Sequence, residues 1–321
     1  ALFTKHYDEA IEAYNHVIGK YSLFKSGDGT DGYKNYSELF TEANEECNEV
    51  ILGIHYAGPG LNEGQTFSIS WGGPMNAIEA TRNLCDDYYC TDGLPIDKSP
   101  LFKGKTGKAA YDKDHPDFAR YENRDPRLKG TLFVPGMKWL NDTYDYDKTT
   151  NPDGKKIPSA SQVAIMKWFV PENMANEYDG SLDYYVIRYA EVLLSLSEAM
   201  IEKGGYSQDQ ITKYINEVRQ RVNMPKVEDV EGKGLSQEQL RQIVRHERRV
   251  ELAFEDLRFA DLYRWSEWKN AVERMNKEFE TYGAGDYERS YRGAQDEVWP
   301  IPQNEIDTDK NLKQHKEWGG E

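Results

Sequence analysis

The sequence contains no long apolar run. No segment approaches the roughly 20 uninterrupted apolar residues that a membrane-spanning helix needs, and the mean hydropathy is −0.83. The first residues also lack the basic, apolar and small-residue pattern of an export signal. We therefore predict no spanning helix, and we expect any export signal to have been removed or to lie outside this sequence.

Cysteine is scarce. Cys47, Cys85 and Cys90 are the three cysteines of the chain, so any disulfide scheme leaves one of them unpaired. Their spacing also lacks the two closely spaced Cys or His pairs that a zinc site uses. The cysteines therefore indicate no zinc centre and say little about the cellular compartment.

Positive charge is in short supply as well. The 321 residues include 40 Lys and Arg against 56 Asp and Glu, which gives a formal net charge of −16. Because a chain this acidic has no general electrostatic attraction for phosphate backbones, nucleic acid is a poor candidate ligand.

Aromatic residues are abundant by comparison. The chain has 22 Tyr, 7 Trp and 11 Phe, which make up 12% of its residues, although its total hydrophobic content is only 38%. Many of these rings must therefore lie at surfaces. Since a flat apolar ring with a polar tip suits interfaces and ligand platforms, the surplus favours a binding function.

The hydrophobic periodicity predicts a mainly helical fold. Apolar residues at helical spacing predict helices over residues 7–18 and 75–89, and short apolar runs predict strands at 48–57 and 130–134. Residues 98–158 are rich in loops. A loop-rich stretch of this length within a domain is more often functional than idle.

A second helical region is predicted from residue 185 onwards. One helix ends at Gly204 and Gly205, Ser207 caps the next, and a capping box at residues 236–239 begins a third. Antiparallel helical hairpins of this kind stack in tetratricopeptide-like arrays. We divide the predicted domain into the end of a helical repeat region (1–60), a loop-rich ligand-binding region (61–184), and a helical region with a C-terminal extended segment (185–321).

Several motifs, taken in order, resemble one protein family. They are DGLPI at 92–96, YENRDPRL at 121–128, IRYAEVLL at 187–194 with SEA at 197–199, INEVR at 215–219, RHERRVELAFEDLR at 245–258, DLYRW at 261–265, and WPIP at 299–302 with EI at 305–306. Over nearly its whole length the chain resembles the SusD/RagB family of surface glycan-binding lipoproteins. The resemblance implies a C-terminal portion of about two thirds of such a protein, with the lipidated cysteine outside this sequence.

The resemblance also implies a function and a location. A member of this family is expected to bind oligosaccharide or polysaccharide on the extracellular face of a bacterial outer membrane, held there by a lipid anchor. It is expected to deliver the ligand to a SusC-like, TonB-dependent transporter, without catalysis and without a cofactor. A peptide-binding member of the same family and a glycoside hydrolase are the alternatives.

Two aromatic segments have the chemistry of a sugar site, in which ring faces lie beside hydrogen-bonding side chains. Trp71 adjoins a Gly-Gly turn, and residues 138–147 combine one Trp and two Tyr with polar side chains. The predicted stacking platform is Trp71, Trp139, Tyr144 and Tyr146, and the predicted polar contacts are Asn141 and Asp142. These assignments rest on side-chain chemistry, because the resemblance transfers no binding residue by position.

The charged motif at 245–251 allows a structural and a catalytic interpretation. Its charges lie three and four residues apart on a helix, and its arginines suit bidentate pairs between helices. His246 and Glu247 could instead form a base and an acid, but no nucleophile or Gly-rich oxyanion loop accompanies them. The structural interpretation is favoured, and no catalytic residue is predicted.

A metal site is a minor alternative. Oxygen-bearing side chains alternate along residues 145–153, as they do in calcium loops. Thr150 and Lys156 depart from the EF-hand pattern, because they replace its turn glycine and its bidentate glutamate. A solvated acidic loop is the default prediction, and no metal ligand is assigned.

Overall fold

Helices are the main regular structure in a computed structural model that describes residues 1–58, 60–61, 63–67, 80–112, 117–139, 142–143, 163–169, 179–282 and 289–320. The described α-helices are α1 (Tyr7–Asn15), α2 (Lys34–Ser37), α3 (Arg82–Asp87), α4 (Arg127–Thr131), α5 (Tyr189–Lys203), α6 (Gln208–Arg221), α7 (Val227–Glu231), α8 (Gln237–Glu251), α9 (Arg258–Arg264), α10 (Trp268–Tyr282) and α11 (Gln303–Thr308). None of the helices in these ranges is long and apolar enough to cross a membrane.

Helix α5 is the centre of the helical layer. It packs against α1, α6 and α8, and it is buried around most of its circumference, including Leu193, Leu194 and Leu196. A helix surrounded on all sides is apolar on all sides, which explains why the run in the sequence is so strongly hydrophobic. The predicted helical hairpin is confirmed in α5 and α6.

Two predicted helix starts are confirmed in detail. The side chains of Ser207 and Ser236 each accept a hydrogen bond from the backbone N–H three residues later. In turn, the side chains of Gln210 and Gln239 accept a hydrogen bond from the backbone N–H of the cap residue. This reciprocal arrangement satisfies donors that the first helical turn would otherwise leave without partners.

The described strands are short and pair two by two. They are β1 (Val50–Ile54), β2 (Leu132–Phe133), β3 (Lys138–Trp139), β4 (Asp142–Thr143), β5 (Ala164–Ile165) and β6 (Tyr184–Arg188). All three pairs, β1 with β6, β2 with β5, and β3 with β4, are antiparallel. The strand predicted over 48–57 is confirmed as β1.

Three predicted boundaries were wrong. Residues 185–188 belong to strand β6, because their backbone pairs with β1, and the helix begins only at Tyr189. Residues 75–79 of the helix predicted over 75–89 lie outside the described residues, and the described helix runs only from Arg82 to Asp87, with the extended Thr81 as its cap. The strand predicted at 130–134 is reduced to β2, since residues 130 and 131 still belong to α4.

Candidate ligand-binding site

The structure tests little of the predicted aromatic platform. Trp71, Asn141, Tyr144 and Tyr146 lie outside the described residues, as does the acidic stretch 145–153. The backbone of Trp139 pairs with that of Asp142 across strands β3 and β4. The ligand-contacting roles assigned to all six residues therefore stay predictions.

A cavity of about 770 Å³ lies elsewhere in the described chain. Its walls come from the end of α8 and the segment after it, from α9 and α10, from the start of α3, and from residues near β1 and β6. Six aromatic side chains line it: Tyr56, Phe67, Tyr184, Phe254, Phe259 and Trp268. A largely apolar cavity with a few polar groups is the usual form of a small-molecule site.

One wall of this cavity is an aromatic cluster. The ring centroid of Phe67 lies 5.9 Å from that of Tyr56 and 5.6 Å from that of Tyr184, in edge-to-face geometry. Trp168 packs behind them, 5.4 Å from Tyr184, and donates a 2.8 Å hydrogen bond from Nε1 to the carbonyl oxygen of Phe254. Trp168 is almost fully buried and belongs to the core.

A second aromatic surface comes from α9 and α10. Phe259 and Trp268 contact each other edge to face, with their ring centroids 5.1 Å apart. Phe259 is 47% exposed, so its ring is available to a ligand. A ring face of this kind can pack against the apolar C–H face of a sugar.

The segment between α8 and α9 shapes the cavity through unusual backbone geometry. Phe254 and Asp256 both have φ of about 60°, a left-handed conformation that is uncommon for residues other than glycine. Such a conformation persists only where surrounding contacts enforce it. Here the side chain of Glu255, between the two, binds the buried cations Arg188 and Lys167.

Those contacts belong to a buried charge network, which we define as Glu49, Asp125, Arg127, Lys167, Arg188, Arg221, Glu247, Glu251 and Glu255. Glu251 is its centre, with Arg188 Nη1 at 2.7 Å and Arg127 Nη1 at 2.9 Å from its two carboxylate oxygens. Arg188 also reaches Glu49 at 2.8 Å and Glu255 at 2.6 Å. The network joins β6, α4, α6 and α8 beneath the cavity.

Ionisation in the network is set by its partners. Burial raises the pKa of Glu251, but Arg221, Arg188 and Arg127 outweigh it and hold the pKa well below the ordinary value. Burial lowers the pKa of Lys167 to about 8, although Glu255 opposes that shift. All of these carboxylates have cationic partners, so the network is suited to fixing structure.

The catalytic alternative for His246 and Glu247 gains no support from the geometry. The His246 ring stacks on Tyr89 at 4.0 Å, and its Nε2 lies 2.8 Å from the carbonyl oxygen of Asp87. Glu247 accepts a 2.6 Å bond from Arg127. The predicted ion pairs between separate elements are confirmed. The predicted ion pairs within the 245–251 motif of α8 were wrong, because the charged side chains of that motif pair with residues of other elements, as Glu247 does with Arg127 and Arg248 with Asp261.

Sequence reasoning missed the cavity. Neither Phe259 nor Trp268 is among the residues that the sequence predicts as ligand contacts. The one usable signal was the pair of aromatic residues at the starts of two neighbouring helices.

Among the described side chains, no group of three His, Cys, Asp or Glu residues could hold a metal ion.

The fold and the motif order define a mainly helical class of protein with a few short strands. The model of the SusD family matches residues 25–318, and the chain belongs to that family. The SusD-like protein P2 of Formosa agariphila is 30% identical over 142 residues, which cover 43% of this chain and 26% of that protein.

Solved structures show the same fold. A SusD-like protein of Bacteroides fragilis is 23% identical, with a TM-score of 0.72 and coverage of 98% of this chain and 62% of that one. A SusD-like carbohydrate-binding protein of the same organism is 24% identical, with a TM-score of 0.74 and coverage of 97% and 62%. The chain therefore spans about three fifths of the length of these two structures.

Proposed function

We propose that this chain binds oligosaccharide at the cell surface and passes it to a TonB-dependent outer-membrane transporter of the SusC kind. Binding is non-covalent, and the ligand leaves chemically unchanged. A lipid anchor outside this sequence holds the protein at the extracellular face of the outer membrane.

The observation that carries the proposal is the aromatic cavity in a chain of this family. Phe259 and Trp268 form one ring surface, and Tyr56 lies on the cluster that lines the other wall. Sugars present an apolar C–H face and a rim of hydroxyls, which match ring faces and polar side chains respectively. The second B. fragilis relative, a SusD-like carbohydrate-binding protein, supports the same ligand class.

We propose that the predicted loop platform makes further contacts with the same ligand. Ring stacking is individually modest, so a longer oligosaccharide that contacts both Trp71 and the 138–147 loop should bind more tightly than a short one. We propose that Trp139, Tyr144 and Tyr146 stack on sugar rings, and that Asn141 and Asp142 bind their hydroxyls.

A glycan array followed by isothermal titration tests the proposal. We expect weak binding of at least one oligosaccharide, and a loss of about tenfold or more in the Trp139→Ala, Tyr144→Ala double variant. Unchanged affinity would remove the loop from the site. A blank glycan array with bound peptide pools, or new reducing ends after incubation with polysaccharide, would contradict the function itself.

A further inference from the structure

Among the described residues that line it, the cavity carries more positive than negative charge, although the chain as a whole has a net charge of −16. Its lining includes two acidic side chains, Asp256 and Asp261. Against these stand the arginines at positions 248, 249, 258, 274 and 289. A local reversal of sign in an acidic protein indicates a surface that attracts anions.

Three of these arginines are paired with protein carboxylates. Arg248 forms two 2.9 Å hydrogen bonds to Asp261. Arg249 and Arg274 share the single carboxylate of Asp87. Burial raises the pKa of Asp87, but these two guanidinium groups outweigh it, and the pKa lies below its ordinary value. The carboxylate of Asp87 therefore has two cationic partners, and the three groups together keep one net positive charge.

Arg258 has no such partner. It forms no ion pair with any carboxylate among the described residues, and its Nε is buried without a hydrogen bond. Its guanidinium lies 5.8 Å from the Trp265 ring, which is a weak contact. Burial and the neighbouring Arg249 lower the pKa of Arg258 to about 10, although the charges of Asp261 and Asp87 oppose that shift. The guanidinium therefore stays protonated at neutral pH, with no carboxylate of the described residues in ion-pair contact.

We infer that Arg258, with the Arg249–Arg274 pair beside it, binds a negatively charged substituent, a carboxylate or sulfate, on an oligosaccharide that contacts Phe259 and Trp268. The inference rests on the proposed glycan function and narrows it to acidic sugars. A guanidinium group binds such oxyanions through two parallel hydrogen bonds, which a hydroxyl cannot match. Partial burial strengthens the pairing further, because the local dielectric is lower than that of water.

Matched pairs of probes separate the anionic group from the sugar. Trigalacturonate is compared with its methyl ester, and a sulfated galactan tetrasaccharide is compared with its desulfated form, each by isothermal titration at low salt. In the wild-type chain we expect the anionic member of at least one pair to bind tenfold or more tightly than its neutral match. The pair that responds identifies carboxylate or sulfate as the group bound.

Three variants assign the effect to the cavity. Arg258→Gln should bring the ratio between the anionic and neutral probes close to one, and Arg258→Lys should retain part of it as a point charge. Arg292→Gln, which removes an exposed arginine paired with Asp296 outside the cavity lining, should leave the ratio unchanged. Because Arg258 forms no ion pair with another described residue, its variants are expected to fold.

Equal binding within both pairs, no binding of either anionic probe, or an unchanged ratio in Arg258→Gln would overturn the inference. Neutral oligosaccharides that still bound on the glycan array would then leave the broader function standing. A blank array would remove both.

Discussion

The two charged regions of this molecule use the same residue types in opposite ways. In the buried charge network, the single carboxylate of Glu251 contacts three arginines, Arg127, Arg188 and Arg221. At the cavity, Asp87 serves two arginines and Arg258 has no carboxylate among the described residues. Saturated charges hold elements in place, whereas a charge without a partner is available to a ligand.

Breaking the network should have the largest effect. Glu251→Gln leaves three buried guanidinium groups without their shared carboxylate, and we expect it to lower the free energy of unfolding by about 3–5 kcal/mol. Urea denaturation followed by circular dichroism measures this change. Glu202→Gln, at a partly exposed pair with Arg241, is the control and should cost less than about 1 kcal/mol. Similar losses in the two variants would contradict the special role of the network.

Acid should have the second largest effect, because it weakens the buried charge network. The pKa of Glu251 is lower in the folded chain than its unfolded value of about 4.3, so its contribution is fully present above that pH. It is lost as pH falls through the folded pKa. We expect the free energy of unfolding to fall by roughly 1–3 kcal/mol between pH 6 and pH 3.5, with a smaller drop in Glu251→Gln. A flat profile over this range would be inconsistent with the depressed pKa.

Neutralising the cavity should have the smallest effect on stability. Arg258→Gln removes a charge that burial disfavours, so the free energy of unfolding should change by no more than about 0.5 kcal/mol, or should rise. Thermal or urea unfolding in the absence of ligand measures it. A loss comparable to that of Glu251→Gln would mean that Arg258 is a structural residue.

The sequence predicted the helical scaffold well, because a 3.6-residue period and capping residues are local signals. Both capping boxes and the α5–α6 hairpin were confirmed. Strand β6 was missed because its apolar residues lead directly into α5 with no turn signal between them, and only pairing with β1, more than a hundred residues away, makes it a strand. Local periodicity cannot reveal such a partner.

The site was harder to predict because its residues also come together from distant parts of the sequence. The charged motif on α8 indicated ion pairs, but its partners at Arg127, Arg188 and Asp261 come from other elements. The cavity unites Tyr56 and Tyr184 with Trp268, which are far apart in sequence. That Arg258 has no carboxylate partner in the described part of the chain is visible only once its spatial neighbours are known.

The central claim is that the chain holds carbohydrate without altering it. The direct measurement is a calorimetric titration with an oligosaccharide selected on the array, followed by mass spectrometry of the recovered ligand. Saturable binding with the ligand recovered intact is the predicted result. Absence of heat at every oligosaccharide tested, or recovery of shortened products, would contradict the claim.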